Sequence, residues 1–88
     1  MEDIFTVYVL YSKDRDKIYI GITSNLIQRF YSHNQLGTKD WTRNFRPWYM
    51  IHTEVYRTKT EAAKREKELK SFQGRQFIRT VCLPIYFP

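Results

Sequence analysis

Arg29 and His33 stand four residues apart in a segment with helical periodicity, so their side chains share one side of a helix about one turn apart. A guanidinium presents a planar fork that suits a phosphate, and an imidazole can take up a proton. Projected at about 100° per residue, both fall beside Leu26 at one edge of an apolar arc formed by Leu26, Ile27, Phe30 and Tyr31, bordering a core without entering it. Glu66 is the second unusual polar residue. On a later helix it falls inside the arc of Ala62, Ala63, Leu69 and Phe72, so its carboxylate is expected to point toward the sheet. A carboxylate there is costly unless a cation, a metal or a hydrogen-bond donor compensates it. The other reading is a long stem that reaches solvent past two small alanines. Between them lies a basic, aromatic stretch in which Lys39, Trp41, Arg43, Phe45 and Arg46 alternate charge with flat rings. Such interleaving suits contact with a nucleic-acid backbone and its bases, although Trp41 or Phe45 closing over the core would give the same pattern.

The elements that must carry these residues follow from pattern. Phe5–Tyr11 is rich in β-branched and aromatic residues, 12–16 has the composition of a turn, and Lys17–Ile22 alternates, which together predict a β-hairpin. Ile18, Ile20 and Ile22 share one face of the second strand, and Phe5, Val7 and Val9 one face of the first. If these form a single buried surface, Tyr8 and Tyr19 share the remaining face, as expected direct cross-strand neighbours. Gly21 leaves room for the backbone to approach a ligand. Ser24 or Asn25 can cap the first helix, and Gly37 is a suitable terminator. Trp48–Tyr56 predicts a third strand, with Tyr49, Ile51, Thr53 and Val55 on one face and Met50, His52, Glu54 and Tyr56 on the other. Thr58-Lys59-Thr60-Glu61 is a capping box that opens a helix from about Lys59 to Gln73, ended by Gly74. Glu61, Lys64, Arg65 and Glu68 form its outer face, paired at four-residue spacings. Residues 75–83 fit a short last helix that Pro84 does not continue, and the apolar end of the chain is open between packing on the domain, an oligomer contact and fraying.

With 88 residues and 42% hydrophobic content, the chain suits one core and one domain spanning residues 1–88. It contains no apolar run of membrane-spanning length and no signal-like start, so a soluble, cytoplasmic protein is expected. One cysteine and two histidines argue against a disulfide or a structural zinc site. The net charge of +6, spread from Lys13 to Arg79, favours a polyanionic partner, although a merely solvated basic surface would give the same balance.

Val7-Tyr8-Val9, Tyr19-Ile20-Gly21, Arg29, His33 and the in-facing Glu66, in that order, resemble the GIY-YIG nuclease family. The likeness is greatest to its small single-domain members. Their Tyr-Ile-Gly-Ile-Thr run, helix Arg and His, Thr-Arg and Pro before the third strand, and Glu within it are similar to Tyr19–Thr23, Arg29, His33, Thr42-Arg43, Pro47 and Glu54. The resemblance covers about residues 5–76, departing at Val7 and Val9 and in lacking an asparagine across 78–84. It implies an α/β fold of the α+β sandwich type, a three-stranded antiparallel sheet flanked by helices in the order β-β-α-β-α-α. It implies cleavage of DNA with one Mg²⁺ or Mn²⁺ ion, by a site of Tyr8, Tyr19, Arg29, His33 and Glu66, with Glu66 the metal ligand. Arg29 would then contact the scissile phosphate, Tyr19 would orient water or phosphate, and the general base is open between Tyr8 and His33. Lys17, Lys39, Trp41, Arg43 and Arg46 are the expected nucleic-acid contacts. With no separate DNA-binding domain in these residues, choice of substrate would rest on DNA shape or on a protein partner. A module on the same fold that binds nucleic acid without cutting it is the alternative.

Overall fold

The computed structural model describes residues 4–31, 33–34 and 44–87. Strands β1 (Phe5–Ser12) and β2 (Lys17–Thr23) form the expected hairpin, followed by α1 (Leu26–Tyr31), β3 (Tyr49–Tyr56), α2 (Lys59–Lys70) and α3 (Phe72–Phe77). A π-helical turn at Ile78–Cys82 leads into α4 (Leu83–Tyr86). Gly37, Lys39, Trp41 and Arg43 lie outside the described residues.

The antiparallel sheet has the order β2-β1-β3. As the central strand, β1 is covered on both faces, and Val7, Tyr8, Val9 and Leu10 are all buried. Alternation sends these residues into two separate cores. Val7, Val9, Ile20 and Ile51 meet Ala62 and Leu69 of α2, then Ile78 and Cys82. On the opposite face Tyr8, Leu10 and Trp48 pack with Tyr19, Leu26, Phe30, Phe45 and Met50. The valine and isoleucine faces therefore form one buried surface, as expected from parity.

Strand β3 does not alternate cleanly. Val9 faces His52 while Leu10 faces Met50, so Ile51 is an extra residue in a β-bulge. The bulge puts Ile51 and His52 on the same side, and it separates Met50 from the His52, Glu54 and Tyr56 set. Those three side chains converge under α2. Arg65 forks onto Glu54, with Nε donating to Oε1 at 2.8 Å and Nη2 to Oε2 at 3.1 Å. Tyr56 Oη donates to Oε1 at 2.6 Å, and His52 Nε2 lies 2.7 Å from Oε2. Arg65 thus leaves the outer face expected of it, because a carboxylate on the sheet is a better-enclosed partner than Glu61 one turn away.

Helix α2 begins on the predicted capping box, with Glu61 N donating to Thr58 Oγ1 at 3.2 Å. It ends three residues before the expected point, at Ser71, whose hydroxyl accepts from Gly74 N and caps α3. Gly74 is not a terminator. A Cβ there would strike the Glu68 carbonyl and the Leu69 backbone, so glycine lets α3 fold back closely on α2. Pro84 lies in the first turn of α4, directly after the π-helical turn, a position where proline's fixed φ suits a helix, and the chain stays helical to Tyr86. Phe87 then packs against Tyr11 and Tyr49, with ring centroids at 5.7 and 5.4 Å.

Burial would raise the Glu54 carboxyl, but hydrogen bonds from Arg65, Tyr56 and His52 outweigh it and hold the group down to about 2, against 4.5 ordinarily. The stabilisation is complete above the ordinary value and is lost as pH falls through the folded one. Glu54→Gln should therefore lower stability by about 1–3 kcal/mol at pH 7 and by progressively less toward pH ~2, as read from urea midpoints across that range.

Candidate active site

The tyrosine-bearing face of the hairpin is the floor of the site. Tyr8 faces Gly21 across the ladder, and Tyr19 faces Leu10. The two tyrosines are thus diagonal neighbours on one face, not direct partners, with ring centroids 6.2 Å apart. The register explains the glycine. A Cβ at Gly21 would lie 2.5 Å from Tyr8 Oη and 2.6 Å from its Cζ, so the Tyr8 ring lies flat across this position. The space left by the missing side chain is filled by the protein itself, not by a ligand.

Helix α1 is capped by Asn25, whose Oδ1 accepts from Gln28 N at 3.1 Å while its own N–H donates to Thr23 Oγ1 at 3.0 Å. The helix is rotated relative to its hydrophobic pattern. Ile27 is 84% exposed and Tyr31 53%, whereas Leu26 and Phe30 pack on the tyrosine face. His33 continues the Leu26 and Phe30 row and is 3% exposed, in the core instead of bordering it. A hydrogen bond of 3.0 Å between Tyr8 Oη and His33 Nε2 makes that burial tolerable. The imidazole also lies against Tyr19, with centroids at 4.7 Å.

Two contacts hold the backbone around this residue. Arg46 Nε donates to the His33 carbonyl at 2.6 Å. Asn34 brackets the Trp48 backbone, donating from Nδ2 to its carbonyl at 3.1 Å and accepting from its N–H at 2.7 Å. Neither role was expected from sequence, because each joins residues more than ten positions apart with no local pattern to mark it. Arg29 is exposed, and its guanidinium has no hydrogen bond or ion pair among the described residues. Its charge reaches Tyr8 nonetheless. Burial and then Tyr19 push the Tyr8 phenol well above its ordinary range, and Arg29 pulls in the opposite direction.

Glu66 enters from the far side of β2. The face that α2 presents to the sheet is Ala62, Arg65, Glu66 and Leu69, while Ala63 is exposed and Phe72 is 77% exposed. The Glu66 side chain is 25% exposed and lies 3.3 Å from Lys70 Nζ. It lines a cleft of about 280 Å³ with Ile18, Tyr19, Ile20, Lys70 and Arg75. Since Ile18 and Ile20 point away from Tyr19, the cleft straddles the outer edge of β2. This is how a carboxylate on the α2 side comes near the tyrosine face, close enough to act on the Tyr8 phenol.

Tyr8, Tyr19 and His33 thus gather on one face of the sheet, Glu66 shares the β2-edge cleft with Tyr19, and Arg29 stands within electrostatic reach of Tyr8. No group of three histidine, cysteine or acidic side chains gathers among the described residues. A single carboxylate oxygen at an open cleft fits a hard divalent ion that keeps most of its waters and takes further ligands from a bound phosphate. Lys17 is exposed at the start of β2.

Residues 4–77 match the family model of the GIY-YIG catalytic domain. The chain is 32% identical to a UPF0213 protein of Staphylococcus haemolyticus, over 85% of this chain and 90% of the relative. It is 30% identical to the UPF0213 protein of Staphylococcus aureus, over 90% of this chain and 95% of the relative. The solution NMR structure of the UPF0213 protein BH0048 from Bacillus halodurans superposes with a TM-score of 0.56 at 27% identity, covering 93% of this chain and 89% of that one.

Because Tyr8 is pinned between Gly21 and His33, Gly21→Ala should force the ring off His33. We expect a loss of about 1–3 kcal/mol in stability, as for overpacking elsewhere, and a changed environment of the His33 ring protons by NMR.

Proposed function

The chain belongs to the GIY-YIG nuclease family, and from that premise we propose that it is a divalent-metal-dependent endonuclease hydrolysing DNA phosphodiester bonds, directed by DNA structure or by a protein partner. The observation that carries the reading is the 3.0 Å contact of Tyr8 Oη with His33 Nε2, beside Tyr19 and within electrostatic reach of Arg29 and Glu66.

With its pKa raised by burial and by Tyr19, the Tyr8 phenol is protonated at neutral pH, and in the tautomer that leaves His33 Nε2 without a proton it donates to that nitrogen across 3.0 Å. It acts as a relay instead of as a standing phenolate. As a water attacks phosphorus, Tyr8 takes the proton from that water while passing its own to His33 Nε2, so neither group has to hold an unfavourable charge for long. The bond between phosphorus and the leaving 3′-oxygen breaks, and that oxygen takes up a proton from solvent, giving a 5′-phosphate and a 3′-hydroxyl. Arg29, exposed and with no protein partner among the described residues, meets the scissile phosphate and offsets the charge that builds on its oxygens. Tyr19 orients water or phosphate. Glu66 would hold one Mg²⁺ or Mn²⁺ ion, which when bound supplies positive charge to a phosphate oxygen and the leaving oxygen.

Lys17, Lys39, Trp41, Arg43 and Arg46 extend the contact to the DNA backbone and bases, supported by the net charge of +6. Within this set Arg46 also holds the His33 carbonyl, which ties DNA contact to the placement of the relay.

Nicking of supercoiled, branched and single-stranded DNA in Mg²⁺ or Mn²⁺ tests the proposal. Glu66→Ala and Arg29→Ala should each lower the rate about 10²- to 10³-fold, and Arg29→Lys should recover little of it. A wild-type protein that binds DNA with steep salt dependence but cuts none of these substrates would instead favour a non-cleaving binding module. Absence of binding would remove both readings.

A further inference from the structure

Lys70 and Arg75 complete the cleft at the β2 edge. The ammonium of Lys70 lies 3.3 Å from the Glu66 carboxylate, one helical turn away, with the Lys70 side chain 50% exposed. Arg75 reaches the same cleft from α3. Its Nε donates to the Lys70 carbonyl at 3.2 Å, and its terminal nitrogens have no partner among the described residues. The cleft thus holds one carboxylate and two cations beside Tyr19, more positive charge than the carboxylate requires. A divalent ion and the Lys70 ammonium compete for the same oxygens.

We infer that Lys70 and Arg75 form a phosphate-binding subsite next to the cleaved bond, in which Lys70 is held by Glu66 until a divalent ion takes that carboxylate and then turns to a phosphate of the substrate strand. This rests on the nuclease reading of the site. Lys70 neutralises Glu66 while the site lacks metal, which keeps a half-buried carboxylate from standing uncompensated. On metal binding the ammonium is released within a cleft that already contains the Arg75 fork. A polynucleotide extending beyond the scissile phosphate satisfies both cations, and a mononucleotide with one phosphate does not.

The test separates metal from DNA. Mn²⁺ binding to the DNA-free protein is measured by electron paramagnetic resonance for wild type, Lys70→Gln and Glu66→Gln. Binding of a short duplex is measured across a salt series in Ca²⁺ for wild type, Lys70→Gln and Arg75→Gln. Lys70→Gln should tighten Mn²⁺ about two- to five-fold, the scale of a half-exposed ion pair. Lys70→Gln and Arg75→Gln should each reduce the slope of log affinity against log salt by about 0.9. If Lys70→Gln changes neither quantity while Glu66→Gln abolishes Mn²⁺ binding, the subsite is wrong and the metal site stands. If Glu66→Gln leaves Mn²⁺ binding unchanged, the metal reading of Glu66 falls and this inference falls with it.

Discussion

A hydrogen bond of 3.0 Å between Tyr8 and His33 joins the centre of the sheet to the residues that follow α1. Much of the tyrosine face is arranged to permit it. Gly21 leaves the space in which the Tyr8 ring lies, and a side chain there would meet that ring at 2.5 Å. Arg46 and Asn34 hold the backbone at His33 and at Trp48, which fixes the chain that carries the imidazole. A buried histidine and a buried phenol would each be costly alone, and paired they satisfy each other. The same burial that favours the pair keeps the phenol protonated, which is what a proton relay needs.

A second constraint sets where the carboxylate stands. Helix α2 is locked to β3 by the Arg65 fork on Glu54, supported by Tyr56 and His52. Glu66 is the next residue after Arg65, so the same clamp that fixes the helix register turns Glu66 toward the edge of β2. Because β2 is an outer strand, a group from the α2 side can pass its edge and share a cleft with Tyr19. The site thus draws on both faces of a small sheet without breaking either core.

Parity along β1 and β2 was enough to place Val7, Val9 and Ile20 in one core and both tyrosines on the other face. Parity cannot say which residue stands opposite which, and Tyr8 proved to face Gly21 instead of Tyr19. The capping box marked the start of α2 because both partners are local, whereas the Arg65 contact with Glu54 spans eleven positions and left no local trace. In α1 the apolar pattern pointed to Leu26, Ile27, Phe30 and Tyr31, yet of these Leu26 and Phe30 turn inward, joined by His33, while Ile27 and Tyr31 are exposed. A histidine with a buried hydroxyl partner can occupy a core position that periodicity alone assigns to an aliphatic side chain. The bulge at Ile51 likewise follows from packing against the neighbouring strand, which the sequence of β3 does not contain.

The most direct test is a double-mutant cycle on DNA cleavage with Tyr8→Phe, His33→Ala and the pair, each confirmed folded by circular dichroism. If the two side chains act as one proton relay, removing either should lose nearly the whole contribution, and the double variant should be no slower than the more damaged single one. Losses that multiply in the double variant would mean that Tyr8 and His33 act independently, and would contradict the relay.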